Sequence, residues 1–202
     1  RASGAQRRGE SGRLSYCSFA QDTLQYSPEN EVLFAELLVQ AHPDVVHIWG
    51  TEYPSALAMI RAAERRGMLD RTVVSIQGLT SVYARHYSAG LPQRVVNGFT
   101  IRDLLRRDNI AQQKQKFARR GRFEVLALQK ARHVIGRTRW DKACVRQINP
   151  NAVYHVCNES LREPFYSGNW TVSNCERHTI FVSQGDYPIK GLHEALYALP
   201  YI

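Results

Sequence analysis

Pro43-Asp44-Val45-Val46-His47-Ile48-Trp49-Gly50-Thr51-Glu52 carries its own punctuation. Pro43 stops whatever precedes it, Val45–Trp49 is an apolar run of strand length, and Gly50 ends that run. Its near-continuous apolar character predicts a strand buried on both faces, as in a parallel sheet, with His47 as a core histidine. The polar pair Thr51-Glu52 then opens a turn.

Working outward, the same cycle recurs. Upstream, Ser27-Pro28 suits the N-cap and first turn of a helix over Glu29–Ala41, whose Val32, Leu33, Ala35, Leu37 and Leu38 form a broad stripe. Further upstream, Leu14–Phe19 can form a short strand. Downstream come a helix from Pro54 to Gly67, a strand Thr72–Ile76 ending at Gln77-Gly78, and a segment of helical composition over 100–130. A strand His133–Gly136 leads into Thr138-x-x-Asp141, a capping box opening a helix over Trp140–Gln147. Val153–Cys157 and Ile180–Ser183 read as further strands, and Leu192–Leu199 as the start of a helix. This alternation predicts an α/β, doubly wound Rossmann-like fold. Ligands of such sheets sit beyond the carboxyl ends of the strands. Chemistry is therefore expected at 50–52, 77–80, 137–139, 158–160 and 184–190.

The 202 residues suffice for one well-buried domain and little of a second. Residues 1–13, polar and glycine-rich, read as a flexible, truncated segment; 14–175 as one Rossmann-like domain; and 176–202 as the first elements of another. A first residue other than Met and the abrupt end at Tyr201-Ile202 suggest a fragment of a longer chain. No apolar run approaches the ~20 residues that cross a bilayer, and no signal peptide is visible. The four cysteines form no CxxC pair and no metal-ligand spacing with histidine, so they read as thiols in a reducing, cytoplasmic setting.

The net charge of +9 favours an anionic partner: nucleic acid, a phospholipid surface or a phosphate-bearing substrate. A basic nucleic-acid-binding module is one alternative, but no RNP, KH, zinc-finger or helix-turn-helix signature supports it. Within 102–122, Arg102, Arg106, Arg107, Lys114, Lys116, Arg119, Arg120 and Arg122 are opposed only by Asp103 and Asp108. Such a helix is expected to bury no ordinary stripe and to dock on an anionic membrane or a lipid-diphosphate acceptor.

Four phrases in order, PDVVHIWGTEYP (43–54), VVSIQGL (73–79), HVCNESL (155–161) and FVSQGDYPIKG (181–191), resemble the GT-B glycosyltransferases of family 4, in particular a bacterial group. The resemblance runs from about residue 30 to the end. It implies a retaining enzyme moving a sugar from a nucleotide-diphosphate donor to an acceptor hydroxyl, between two Rossmann-like domains. It implies no metal and no cofactor, a glycan or glycolipid acceptor, and a cytoplasmic, peripheral-membrane setting in surface polysaccharide or glycolipid synthesis. Acceptor contacts fall at Gly50, Thr51, Glu52, Gln77 and Gly78; donor and phosphate contacts fall at Arg137, Asn158, Glu159, Gly185 and Lys190. Several positions depart from the family. Gln77 stands where members often carry a sugar-contacting His, and an amide hydrogen-bonds a hydroxyl without shuttling a proton. Gly185 stands where a phosphate-clamping Arg is usual, whereas Lys190 matches the second cation. Glu159 replaces the glycine of an Asn-Gly turn, and a pair of donor-holding glutamates would lie beyond Ile202. No catalytic residue is assigned, the isolated fragment is expected not to turn over, and a non-catalytic glycan-binding member is the other alternative.

Overall fold

The computed structural model describes residues 8–201; residues 1–7 of the segment expected to be flexible lie outside it, as does Ile202. Strand β1 (Arg8–Ser11) pairs antiparallel with β2 (Leu14–Cys17) in a small hairpin apart from the main sheet.

The first helix, α1 (Pro28–Ala41), begins as its sequence predicts. Ser27 caps it by accepting from the Asn30 N–H at 3.1 Å. His42, at φ 43°, turns left-handed and ends it before Pro43. Next come β3 (Val46–Trp49), α2 (Pro54–Arg65) and β4 (Thr72–Ser75), the last continued by a helical excursion. That excursion comprises α3 (Thr80–His86), α4 (Gln93–Val96), α5 (Ile101–Arg106) and α6 (Ile110–Lys130). The chain then forms β5 (His133–Gly136), α7 (Arg139–Ile148) and β6 (Val153–Val156). Short α8 (Pro164–Ser167) and α9 (Leu192–Ala198) follow.

The four main strands are parallel, in the order β3-β4-β5-β6, with Ile48 beside Val74, Val74 beside Val134 and Val134 beside Tyr154. Because spatial order follows chain order, right-handed crossovers place every connecting helix on the same face. There α1, α2, α6 and α7 bury Val46, Ile48, Val74 and Val134 against Phe34, Leu57, Ile60, Leu128 and Val145. Each fully buried aliphatic side chain contributes about 1.5–3 kcal/mol.

Several expectations need correction. Double winding requires a reversal of strand order, and among the described residues the sheet contains none, so helices cover a single face. As an edge strand, β3 alternates instead of burying both sides, and Trp49 is 63% exposed. His47 stands on the uncovered face, where its Nε2 hydrogen-bonds Ser75 Oγ at 2.7 Å, so it is not a core residue. Ile180–Ser183 forms no strand: Phe181 is 86% exposed, and no neighbouring strand offers it a ladder among the described residues. The segment 100–130 is two helices, not one, because it holds two capping boxes, Thr100 with Asp103 and Asn109 with Gln112. Arg107, at φ 52°, turns the chain between them. Finally, α6 does bury a stripe, Gly121, Glu124, Ala127 and Leu128, which overlaps the end of the basic run and continues past it.

Candidate functional site

At the carboxyl edge of the sheet the chain places a buried acid. Glu124 projects from α6 into the turns after β3 and β4 and has no exposed surface. One oxygen accepts from the Thr80 N–H at 2.8 Å and the Thr80 hydroxyl at 3.0 Å; the other accepts from the Ser81 N–H at 2.9 Å and the Ser81 hydroxyl at 2.5 Å. The Thr51 hydroxyl donates as well, at 3.3 Å. Burial pushes the Glu124 carboxyl up, while the hydrogen bonds from Ser81 and Thr80 pull it back. Glu124 thus caps α3 from another helix and welds two strand-end turns together. Gly121, one turn earlier, permits this approach: a Cβ there would lie 2.5 Å from Ser81 Cα.

Two clusters open to solvent on this frame. In the first, Gly50 adopts φ 90°, and the Glu52 carboxylate packs where a Cβ of Gly50 would stand, a conformation glycine adopts without strain. A Cβ on Gly78 would come 3.1 Å from the Tyr83 ring and 3.4 Å from Glu52 Oε1. Burial raises the Glu52 carboxyl above its ordinary range, against its own N–H, that of Thr51 and the charge of Arg120. The Arg120 guanidinium sits 4.5 Å from the Phe117 ring centroid and 5.7 Å from that of Tyr53. Tyr83 stacks on Trp140 with centroids 6.2 Å apart and planes 14° off parallel, leaving Trp140 half exposed.

The second cluster joins three residues expected at the site. Glu159 accepts from Gln77 Nε2 at 2.6 Å and from Arg137 Nη1 at 3.1 Å. Arg137 and Glu159, with Asn158, His47, Trp49 and Ser75, border a pocket of about 320 Å³ at the strand ends. Arg137 is therefore neutralised by Glu159, and a phosphate would compete with a carboxylate for it. Beneath, the Asp141 carboxylate accepts from the backbone of Arg137 and Thr138 and from the Tyr154 hydroxyl, fixing the loop that presents Arg137.

The structure thus assembles Gly50, Glu52, Gln77, Gly78, Arg137, Asn158 and Glu159 at one edge. Thr51 is corrected: it is fully buried, and its hydroxyl is committed to Glu124, so it faces no ligand. Gly185 and Lys190 stand elsewhere. Gly185 borders a separate pocket of about 620 Å³ with Leu91, Val95, Phe99 and Leu192, and Lys190 is exposed in a 3₁₀ turn. Among the described residues no hydrogen bond or ion pair links either to Gln77, Arg137 or Glu159. Tyr187, T-shaped on Phe117 at 5.7 Å, and Asp186 bring that segment toward Arg120.

Sequence reasoning missed Glu124, Tyr83, Arg120 and Trp140 as parts of the site. For Glu124 a signal existed: it is the lone acid in the spacing Gly121-x-x-Glu124-x-x-Ala127-Leu128, where every other member is small or apolar.

Comparison with protein-family models, with curated proteins and with solved structures yields no match to this chain. Among the described residues no group of three or more His, Cys, Asp or Glu side chains is arranged to hold a metal, and no helix is long and apolar enough to cross a membrane.

Proposed function

We propose that the strand-end cleft is the acceptor side of a sugar-transfer site, in a retaining glycosyltransferase of the GT-B kind that uses a nucleotide-diphosphate sugar as donor. The observation that carries this reading is the company Glu52 keeps: a partly desolvated carboxyl between Gly50 and Gly78, beside the stacked Tyr83–Trp140 pair. Saccharides are bound by that combination, with an aromatic face for the C–H side of the ring and a carboxylate accepting from its hydroxyls. Gln77 adds an amide for a further hydroxyl, and Arg137 adds a cation toward the leaving diphosphate once Glu159 yields it.

A second reading, a glycan-binding relative that does not transfer, is favoured by one observation: Arg137, which shares Glu159 with Gln77, is already paired with it. Titration calorimetry tests both. The proposed site binds saccharides weakly, with dissociation constants of about a millimolar, or roughly 4 kcal/mol, and Glu52→Gln weakens that binding. Release of nucleoside diphosphate from a donor sugar, dependent on acceptor, separates transfer from binding alone. Absence of saccharide binding removes both readings.

A further inference from the structure

Between α4 and α6 the chain turns apolar side chains outward. Phe99, Ile101, Leu104 and Leu105 are 59%, 81%, 63% and 80% exposed. Ile101, Leu104 and Leu105 stand at i, i+3 and i+4, so they form one stripe along α5, and Phe99 precedes its cap. Nothing in the core requires this stripe. The helix is fixed by the Thr100–Asp103 box at one end and by the turn at Arg107 before Asn109 at the other. Cations surround it. Arg94, Arg106, Arg107 and Lys114 are exposed, and none forms a salt bridge among the described residues. The two acids of the segment are engaged locally, Asp103 with the Thr100 N–H and Asp108 with Arg102.

We propose that α5 and its flanks dock on an anionic bilayer surface. Phe99, Ile101, Leu104 and Leu105 enter the boundary between headgroups and acyl chains, and Arg94, Arg106, Arg107 and Lys114 meet lipid phosphates. Charge complementarity selects this occupant. A second copy packed on the same face would oppose cation to cation. Nucleic acid would use the cations but leave the three aliphatic side chains without a function. The basic run alone suggests one docking helix over 102–122; the structure relocates the contact to α5, because α6 packs against α3 and α2.

The placement follows from helix geometry. Glu124 marks the level of the strand ends, and Ile110 lies about 21 Å further along α6 at 1.5 Å per residue. The turn that joins α5 to α6 therefore lies well beyond the level of Glu124. Docking by α5 does not depend on the transfer chemistry proposed for the cleft.

The test is co-sedimentation of the chain with phosphatidylcholine vesicles, with and without phosphatidylglycerol. Binding is expected only to the anionic vesicles and falls as salt is raised. Ile101→Ser/Leu104→Ser/Leu105→Ser and, separately, Arg106→Gln/Arg107→Gln should each lower the partition coefficient at least about tenfold. All five side chains are exposed, so both variants keep the native circular dichroism. Equal binding to the two vesicle types overturns the proposal, as does unchanged binding by either variant. So does sedimentation velocity showing that the serine substitutions dissolve a dimer.

Discussion

Glu124 on α6 caps α3 at Thr80: its carboxylate receives the Thr80 backbone N–H at 2.8 Å across 44 residues of chain. It also receives Ser81 and Thr51, so one side chain holds the turns after β3 and β4 in register. Substitution by glutamine keeps one acceptor oxygen but turns an NH₂ toward donors that then lack a partner. Glu124→Gln should therefore destabilise the fold by about 1–3 kcal/mol, the cost of leaving a buried donor unpaired. Urea denaturation followed by circular dichroism measures it; an unchanged midpoint would show that the turns hold without Glu124.

Gly121→Ala sets two effects against each other. Replacing a helical glycine by alanine gains up to about 1 kcal/mol of helix propensity. The new Cβ, however, would stand 2.5 Å from Ser81 Cα and 2.8 Å from its N, and backbone does not yield as a flexible side chain does. Overpacking of this kind costs about 1–3 kcal/mol, so a net loss of stability is expected. A higher melting temperature for the variant would mean that α3 and α6 are not in this close contact.

Burial alone would raise the Asp141 carboxyl, but hydrogen bonds from Tyr154 and from the backbone of Arg137 and Thr138 outweigh it and hold the group below its ordinary 3.8. A lowered carboxyl contributes stability above its unfolded value, and that contribution is lost as pH falls through the folded one. Asp141→Asn should therefore cost about 1–2 kcal/mol at pH 7, and the gap between native and variant should close as pH falls below about 4. A gap independent of pH would indicate that packing, not charge, is what Asp141 supplies.

Much of this fold is legible in the sequence wherever a local rule governs. The Ser27 cap, the stop at His42-Pro43 and the Thr138–Asp141 box all stand where the residues place them. What local rules cannot supply is which face of a strand is covered. Val45–Trp49 is apolar apart from His47, yet helices cover one face of the sheet, and His47 and Trp49 stand on the other. Ile180–Ser183 has strand composition, but a strand exists only with a ladder partner. The carboxyl-edge rule gathers Gln77, Arg137 and Glu159, whereas Glu124 comes from a helix 44 residues beyond the turn it caps and shows in the sequence only as a lone acid in an otherwise small or apolar stripe.

The Arg137–Glu159 pair offers a direct probe of anion binding. Both side chains are more than one-third exposed, so breaking the pair should change stability by no more than about 1 kcal/mol. Glu159→Gln releases the guanidinium and should tighten binding of inorganic pyrophosphate about tenfold at low salt, whereas Arg137→Ala should abolish it. Pyrophosphate binding that ignores both substitutions would place the anion elsewhere.

Saccharide binding at the strand-end cleft is tested most directly by amide and indole chemical-shift mapping with added oligosaccharides. The expected perturbations fall on Glu52, Gly78 and Tyr83 and on the Trp140 indole N–H, and they diminish in Glu52→Gln. Shifts confined to the pocket bordered by Gly185 and Leu192, or no shifts with any hexose-containing acceptor, would contradict it.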